Sequence, residues 1–270
     1  MKKGKINLSL MLIVSAIAGT TFFFSCSKNS EEISSISPGQ TNSPLSTAPY
    51  TDCSNVSNPE NPYDQTGATH NDILDYVIAH QSEWPCDNAQ MPQKISELTS
   101  NFICDNGYGS GADCYNTTFN LASTTLNEYA SNTHEEIINS HGSAAMQGYM
   151  HELINEIEGY EDSTQIDSLL ASIKQIERQV TTSTLDADEK AAFLNCSSIG
   201  RYSACYWFQE TQKAQSDWTR RCPYIPSNPP AGKINWTKFG IIIACDILGY
   251  VIGNLPGAGA CSSMGAAALS

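Results

Sequence analysis

The chain of 270 residues carries 14 Lys and Arg against 28 Asp and Glu, a formal net charge of −14. Without the three lysines of a leader at 1–25, 11 basic residues face 28 acidic ones, a net charge of −17. Such a surface repels phosphate backbones, which excludes non-specific nucleic-acid binding and argues against polybasic attachment to anionic lipid. With 40% hydrophobic and only 16% charged residues, the composition is that of an exported globular protein of one large or two small domains.

Lys2, Lys3 and Lys5 form a basic n-region, Leu8 to Ala18 an apolar run, and Phe22-Phe23-Phe24-Ser25-Cys26 a cleavage site that ends in cysteine. The run is too short for a stable transmembrane helix, so residues 1–25 read as a removable signal peptide. A cysteine directly after a small residue resembles the lipobox of bacterial lipoproteins. Ser25 and Cys26 carry the match, while Phe23 and Phe24 depart from the more usual Leu-Ala type. The resemblance implies that Cys26 receives a diacylglycerol and becomes the first residue. Each buried CH₂ contributes about 0.8 kcal/mol, so two or more acyl chains hold the protein on a membrane where one would not. Ser27-Lys28-Asn29-Ser30-Glu31-Glu32 is similar to the surface-export signals of Bacteroidota lipoproteins. It implies the bacterial outer membrane, with the cell surface expected and the periplasmic face as the alternative. Residues 26–62 read as lipid anchor and flexible tether, because Pro38, Pro44, Pro49, Pro59 and Pro62 stand among Ser, Thr and Asn with little to bury. As a coil this stalk spans about 30 to 35 Å.

Ten cysteines less Cys26 leave nine, which an exported chain converts mostly to disulfides, up to four with one thiol over. Spacing fixes no connectivity. The one local pair expected is Cys104 with Cys114, because the Asp105–Asp113 stretch is rich in turn-forming Gly, Asn and Asp. No Cys-x-x-Cys occurs, so a zinc site of that type is not expected.

Residues 63–235 read as a helical domain. Thr69 and Asp72 suggest a capping box that opens a helix with Ile73, Leu74, Val77 and Ile78 on one stripe, ended by Pro85. Pro92 fits the first turn of a second helix carrying Ile95, Leu98, Phe102 and Ile103. Phe119, Ala122, Leu126 and Tyr129 predict a third. Thr133 with Glu136 makes another capping box, and the stripe from Ile137 to Ile157 is weakened at Gly142 and Gly148, where it is expected to break. Asp162 with Gln165 caps the clearest amphipathic period in the chain, Ile166, Leu169, Leu170, Ile173, Ile176 and Val180. Asp186 with Glu189 caps the next helix, and a further one is expected from Tyr202 to Trp218 beyond Gly200. Period-two runs are absent. The fold class expected is all-α: a disulfide-containing bundle of six to eight helices.

Residues 236–270 differ in kind. From Phe239 onward the only charge is Asp246, and Gly249, Gly253 and Gly257 stand four apart, a glycine-zipper spacing that places three bare positions on one helix face. Pro256 is expected to divide the segment into two helices, packed as a hairpin on the helical domain. The rival reading is a tail that inserts in membranes, similar to the membrane-active ends of some bacteriocins and toxins. Asp246 opposes a full span, at a cost of roughly 2.5 to 3.5 kcal/mol at mid-bilayer.

Catalytic patterns fail where they begin. His134-Glu135 and His151-Glu152 open like the zinc motif HExxH, but Ile138 and Asn155 stand where its second histidine must be. His134 and His141 lie seven residues apart, about 10.5 Å along a helix and too far for one ion. A nucleophile elbow of the Gly-x-Ser-x-Gly type fails because Tyr108 stands where its first glycine must be, and Gly232-Lys233 lacks both the upstream glycine and the following Ser or Thr of a phosphate loop. No catalytic residue, metal ligand or cofactor is therefore assigned.

Asn61-Pro62-Tyr63-Asp64 with Gly67, His70-Asn71 and Asp75-Tyr76-Val77, later Glu189 to Leu194, Ser203 to Trp207 and the glycine-rich tail, resemble a group of uncharacterised Bacteroidota lipoproteins. The resemblance covers most of the mature chain and implies location and fold, with no known reaction. His70, Asn71, His134 and His141 are the speculative ligand residues, with helix capping as the simpler role for the first two. The function expected is that of a non-enzymatic, lipid-anchored binding protein. Its partners are the membrane through its lipid and a protein or small molecule of unknown identity.

Overall fold

The computed structural model describes Cys53, residues 55–109, 111–160 and 166–213, Trp218 and residues 236–269. The chain is all-α, and among the described residues there are eight α-helices and no strand. They are α1 (Asp64–Ala79), α2 (Met91–Asp105), α3 (Cys114–Ser131), α4 (His134–Ser140), α5 (Ala144–Glu158), α6 (Ile166–Thr182), α7 (Ala187–Gln212) and α8 (Trp236–Leu269). The signal peptide expected at 1–25, the lipid site expected at Cys26 and the expected Asp162–Gln165 cap pair lie outside the described residues.

Local chemistry explains most boundaries. Pro92 lies in the first turn of α2, where its missing N–H costs nothing. Thr133 Oγ1 accepts from the Glu136 N–H while the Glu136 carboxylate accepts from the Thr133 N–H, the expected capping box of α4. The stripe does break after α4, at Gly142, whose φ of 70° suits glycine; Gly148 is simply a helical residue of α5. In α6 the six apolar positions named from the sequence are all buried, each worth about 1.5 to 3 kcal/mol of transfer free energy.

Three boundaries differ from the sequence reading. Helix α1 starts at Asp64, not near Thr69; Thr69 is fully buried inside it and donates its hydroxyl to the Gln65 carbonyl. Helix α7 runs unbroken through Gly200, because that glycine accommodates Ile247 of α8: a Cβ there would stand 2.9 Å from Ile247 Cδ1. Cys53 and residues 55–62, assigned to the tether by composition, belong to the packed body, since Cys53, Asn58 and Asn61 are each only 4% exposed.

Helix α8 is the centre of the bundle and packs against α3 and α7 most extensively, then α2, α1, α5 and α4. Its helical path is interrupted at Gly253 and Asn254, the latter at φ 53° and ψ −150°. The break falls just before Pro256, which then occupies the first turn of the second arm. The two arms run back along each other. A Cβ at Gly249 would lie 2.7 Å from the Gly257 carbonyl oxygen and 2.9 Å from Cys261 Cβ, and one at Gly265 would lie 3.6 Å from Ile242. The expected hairpin is present, but its glycines do not share one helix face. Gly249 and Gly257 oppose each other across the turn, and Gly253 abuts Thr125 of α3.

Candidate functional site

Polar side chains converge at two places inside the bundle. The first is where the segment before α1 crosses α6 and α7. Arg201 of α7 has no exposed side-chain surface and is enclosed by two carboxylates. Its Nε donates to Glu177 Oε1 of α6 at 3.1 Å, its Nη2 to Asp64 Oδ1 at 2.5 Å, and its Nη1 to the Val56 carbonyl. Glu177, 1% exposed, also accepts from Asn58 Nδ2 at 2.6 Å, Asn61 Nδ2 at 2.8 Å and Ser197 Oγ at 2.8 Å. Asp64 Oδ2 accepts from the hydroxyls of Ser57 and Tyr202, and Asp64 Oδ1 from the Asn58 N–H. Every polar atom of the buried Glu177 carboxylate thus has a donor within hydrogen-bond reach, which offsets the cost of enclosing it.

This geometry explains why α1 starts at Asp64. The side-chain oxygens of Asn58 and Asn61 accept from the N–H groups of Glu60 and Tyr63, so the loop closes on itself before the helix begins. Gly67 then lies against α7. Its N–H donates to Ser198 Oγ, and a Cβ would meet the Ser198 carbonyl, whose carbon lies 2.8 Å away. The disulfide Cys53–Cys205 fastens the start of the same segment to α7.

A cleft of about 270 Å³ opens beside this network, lined by Asn58, Glu60, Asn61, Glu177, Arg178, Thr181, Thr182 and Leu194. The polar atoms of Asn58, Asn61 and Glu177 are engaged in the fold, whereas Glu60, Arg178, Thr181 and Thr182 are exposed at its rim. Chemically the cleft can offer one acid, one guanidinium and two hydroxyl-bearing residues over an apolar floor at Leu194.

The second convergence is deeper. His70 and Asn71 are not helix caps; both are buried in the middle of α1. His70 Nδ1 pairs with Asn71 Oδ1 at 3.2 Å, and Asn71 Nδ2 donates to the Tyr202 carbonyl at 3.0 Å. His70 Nε2 stands 3.9 Å from Asp246 Oδ2, beyond hydrogen-bond reach. Burial lowers the His70 pKa to about 4, against the raising effect of Asn71 and the Ala258 backbone. Burial also pushes the Asp246 carboxyl well above the usual range, only partly offset by the Ser203 hydroxyl, which donates to Asp246 Oδ2. His70 is therefore neutral near pH 7, and the contact is not an ion pair. His70, Ser203 and Asp246 have no exposed surface, so this convergence lies wholly inside the core.

The other sequence-named histidines are separate from both places. His134 is bracketed by the Tyr129 hydroxyl at 2.6 Å from Nε2 and Glu158 Oε1 at 2.7 Å from Nδ1. His141 Nδ1 contacts the Ile137 carbonyl at 2.8 Å, where it closes the end of α4. Among the described residues no three His, Cys, Asp or Glu side chains form a group that could hold a metal ion. On α1, Asp72 and Asp75 are half-buried neighbours. Burial and the Asp75 charge raise Asp72 to about 6, and burial likewise raises Asp75, which faces Tyr206 and Glu210 of α7 and Lys213 at its C-terminal end.

The expected Cys104–Cys114 disulfide is formed, Cys86 is disulfide-bonded as well, and Cys196, Cys245 and Cys261 are buried thiols. The segment Phe239–Ala266 is long and apolar enough to cross a membrane by composition, yet most of it is buried within the bundle. The two arms of α8 as a whole, about 17 and 15 residues on either side of the break at Gly253 and Asn254, rise roughly 25 and 22 Å, short of the ~30 Å hydrocarbon core.

Sequence reasoning missed Arg201, Glu177 and Asp64. One signal was present: between Ala191 and Phe208 the only charge is Arg201, just as Asp246 is the only charge after Phe239. A lone charge in an apolar helix needs a buried partner. No known protein family, curated protein or solved structure matches the chain.

Proposed function

We propose that this is an exported protein anchored to the bacterial outer membrane through lipid on Cys26, which acts by binding rather than by catalysis and displays its helical body at the cell surface. The observation that carries the reading is the Cys53–Cys205 disulfide. It belongs to an oxidising compartment, and it joins the point where the tether meets the body directly to the core helix α7. Tension on the anchor then passes into the core instead of peeling residues 53–63 away. The Asp64–Arg201–Glu177 network reinforces the same junction. Its charges are enclosed and mutually satisfied, which suits a rigid latch better than a reacting centre.

The candidate contact surface is the cleft rimmed by Glu60, Arg178, Thr181 and Thr182, which suits a small polar ligand or a side chain of a protein partner. The resemblance to uncharacterised Bacteroidota lipoproteins supports the location. The membrane-active alternative requires the α8 hairpin to leave the bundle, which would expose Phe239, Ile242, Ile243, Ile247 and Leu248 together, all now 0% exposed. Dye-loaded vesicles of phosphatidylethanolamine and phosphatidylglycerol separate the two. Protein beginning at residue 27 is expected to leave the dye enclosed, and leakage at micromolar protein would replace the binding reading with the membrane-active one.

A further inference from the structure

The two arms of α8 place a pair of thiols opposite each other. Gly253 marks the turn. Gly249 and Gly257 each stand four residues from it, and their contact fixes the antiparallel register. Cys245 and Cys261 each stand eight residues from it, on the matching positions two turns from the bend. The Cys245 thiol is a hydrogen-bonding neighbour of Cys261 and of the Tyr129 hydroxyl, and a Cβ built at Gly249 lies 2.9 Å from Cys261 Cβ. Ordinary helix pairs run 8–10 Å apart, too far for most cross-links, whereas a disulfide needs Cα atoms about 4.4 to 6.8 Å apart. The glycine contact brings these arms unusually close, and close backbone approach is what a disulfide between facing helices requires.

We propose that Cys245 and Cys261, thiols in this structure, close a further disulfide in the mature protein and staple the α8 hairpin shut. The inference does not depend on the ligand-binding reading; it depends on export into an oxidising compartment. The oxidant is a protein dithiol–disulfide oxidoreductase in its disulfide form. One cysteine thiolate attacks that disulfide to give a mixed disulfide, and the second attacks the chain's own sulfur in the mixed disulfide. Two protons and two electrons leave the cysteine pair, and the oxidant leaves as a dithiol. Cys245 is 4% exposed and Cys261 0%, so the exchange takes place before the hairpin docks into the bundle. Cys196, buried on α7 with its thiol pKa pushed up by burial, has no facing cysteine among the described residues and stays a thiol. The staple would hold each arm too short to span a bilayer.

The test uses the full chain exported by a bacterium, extracted in detergent, denatured without reductant, labelled with an alkylating reagent and digested with trypsin. No Lys or Arg occurs after Lys238, so both cysteines fall on the peptide 239–270. The expected peptide carries no label and is two hydrogens lighter than the dithiol form, while Cys196 is labelled. In the variant Cys245→Ser, Cys261 becomes labelled. Two labels on the wild-type peptide, in a digest that still shows Cys53 joined to Cys205 and Cys104 to Cys114, overturn the proposal. Labelling of Cys261 to the same extent in wild type and Cys245→Ser overturns it equally.

Discussion

Replacing Arg201 with methionine tests whether the network is the latch described above. Met keeps much of the side-chain volume and removes the cation. Left behind are Glu177, whose side chain is 2% exposed, and Asp64, whose side chain is 18% exposed, with no positive charge between them. At an effective dielectric of about 20 a pair at 4 Å is worth ~4 kcal/mol, and part of that is offset because Arg201 no longer needs desolvating. Truncating one partner of a buried pair typically costs about 3 to 5 kcal/mol, a large share of a native stability of about 5 to 15 kcal/mol. Glu177→Gln keeps the shape but turns an amide toward the Asn58 and Asn61 donors, so about 1 to 3 kcal/mol is expected. The double variant is expected to lose less than the two singles summed, because the second change removes the charge stranded by the first. Urea unfolding with disulfides intact reads these values through tryptophan emission, since Trp207 is fully buried beside Trp218. A loss below about 1 kcal/mol for Arg201→Met, or strict additivity, would refute the reasoning.

Titration gives two opposed slopes. His70 has a folded pKa of about 4 against an ordinary 6.5, so its contribution to stability is complete above pH 6.5 and is lost as pH falls through 4. In His70→Gln the decline across that window should be shallower than in wild type, measured by urea midpoints at stepped pH. Asp72 is raised to about 6, so its contribution is complete below its unfolded value and is lost as pH rises through 6; Asp72→Asn should abolish that loss. Gly67→Ala drives a Cβ into the Ser198 backbone and should cost about 3 kcal/mol or prevent accumulation of folded protein. Gly148→Ala meets nothing within 4 Å in a helix and should stabilise by about 0.5 to 1 kcal/mol; thermal melts of the two should move in opposite directions.

Elements governed by neighbours in sequence were legible. The stripe of α6, the cap pair at Thr133 and Glu136, the Asp186 cap and the Cys104–Cys114 bridge over ten residues each depend on contacts within a few turns. What escaped depends on distant partners. Asn58, Asn61 and Asp64 are ordinary loop residues by composition, and they are ordered only because Glu177 and Arg201, more than a hundred residues on, satisfy them. Gly200 suggested a break because propensity counts glycine as a helix weakener, and the packing of Ile247 onto it overrode that cost. His70 looked like a cap for the same reason that Thr69 did: the helix start was placed where apolar periodicity begins, one and a half turns too late.

The proposal that the body is moored outside the cytosol is tested most directly by the mass of the N-terminal peptide from protein extracted from bacterial membranes. The account predicts a chain that starts at Cys26 and carries a diacylglycerol on its sulfur. An unmodified Cys26 with residues 1–25 still attached, in protein recovered from the soluble cytosolic fraction, would contradict it.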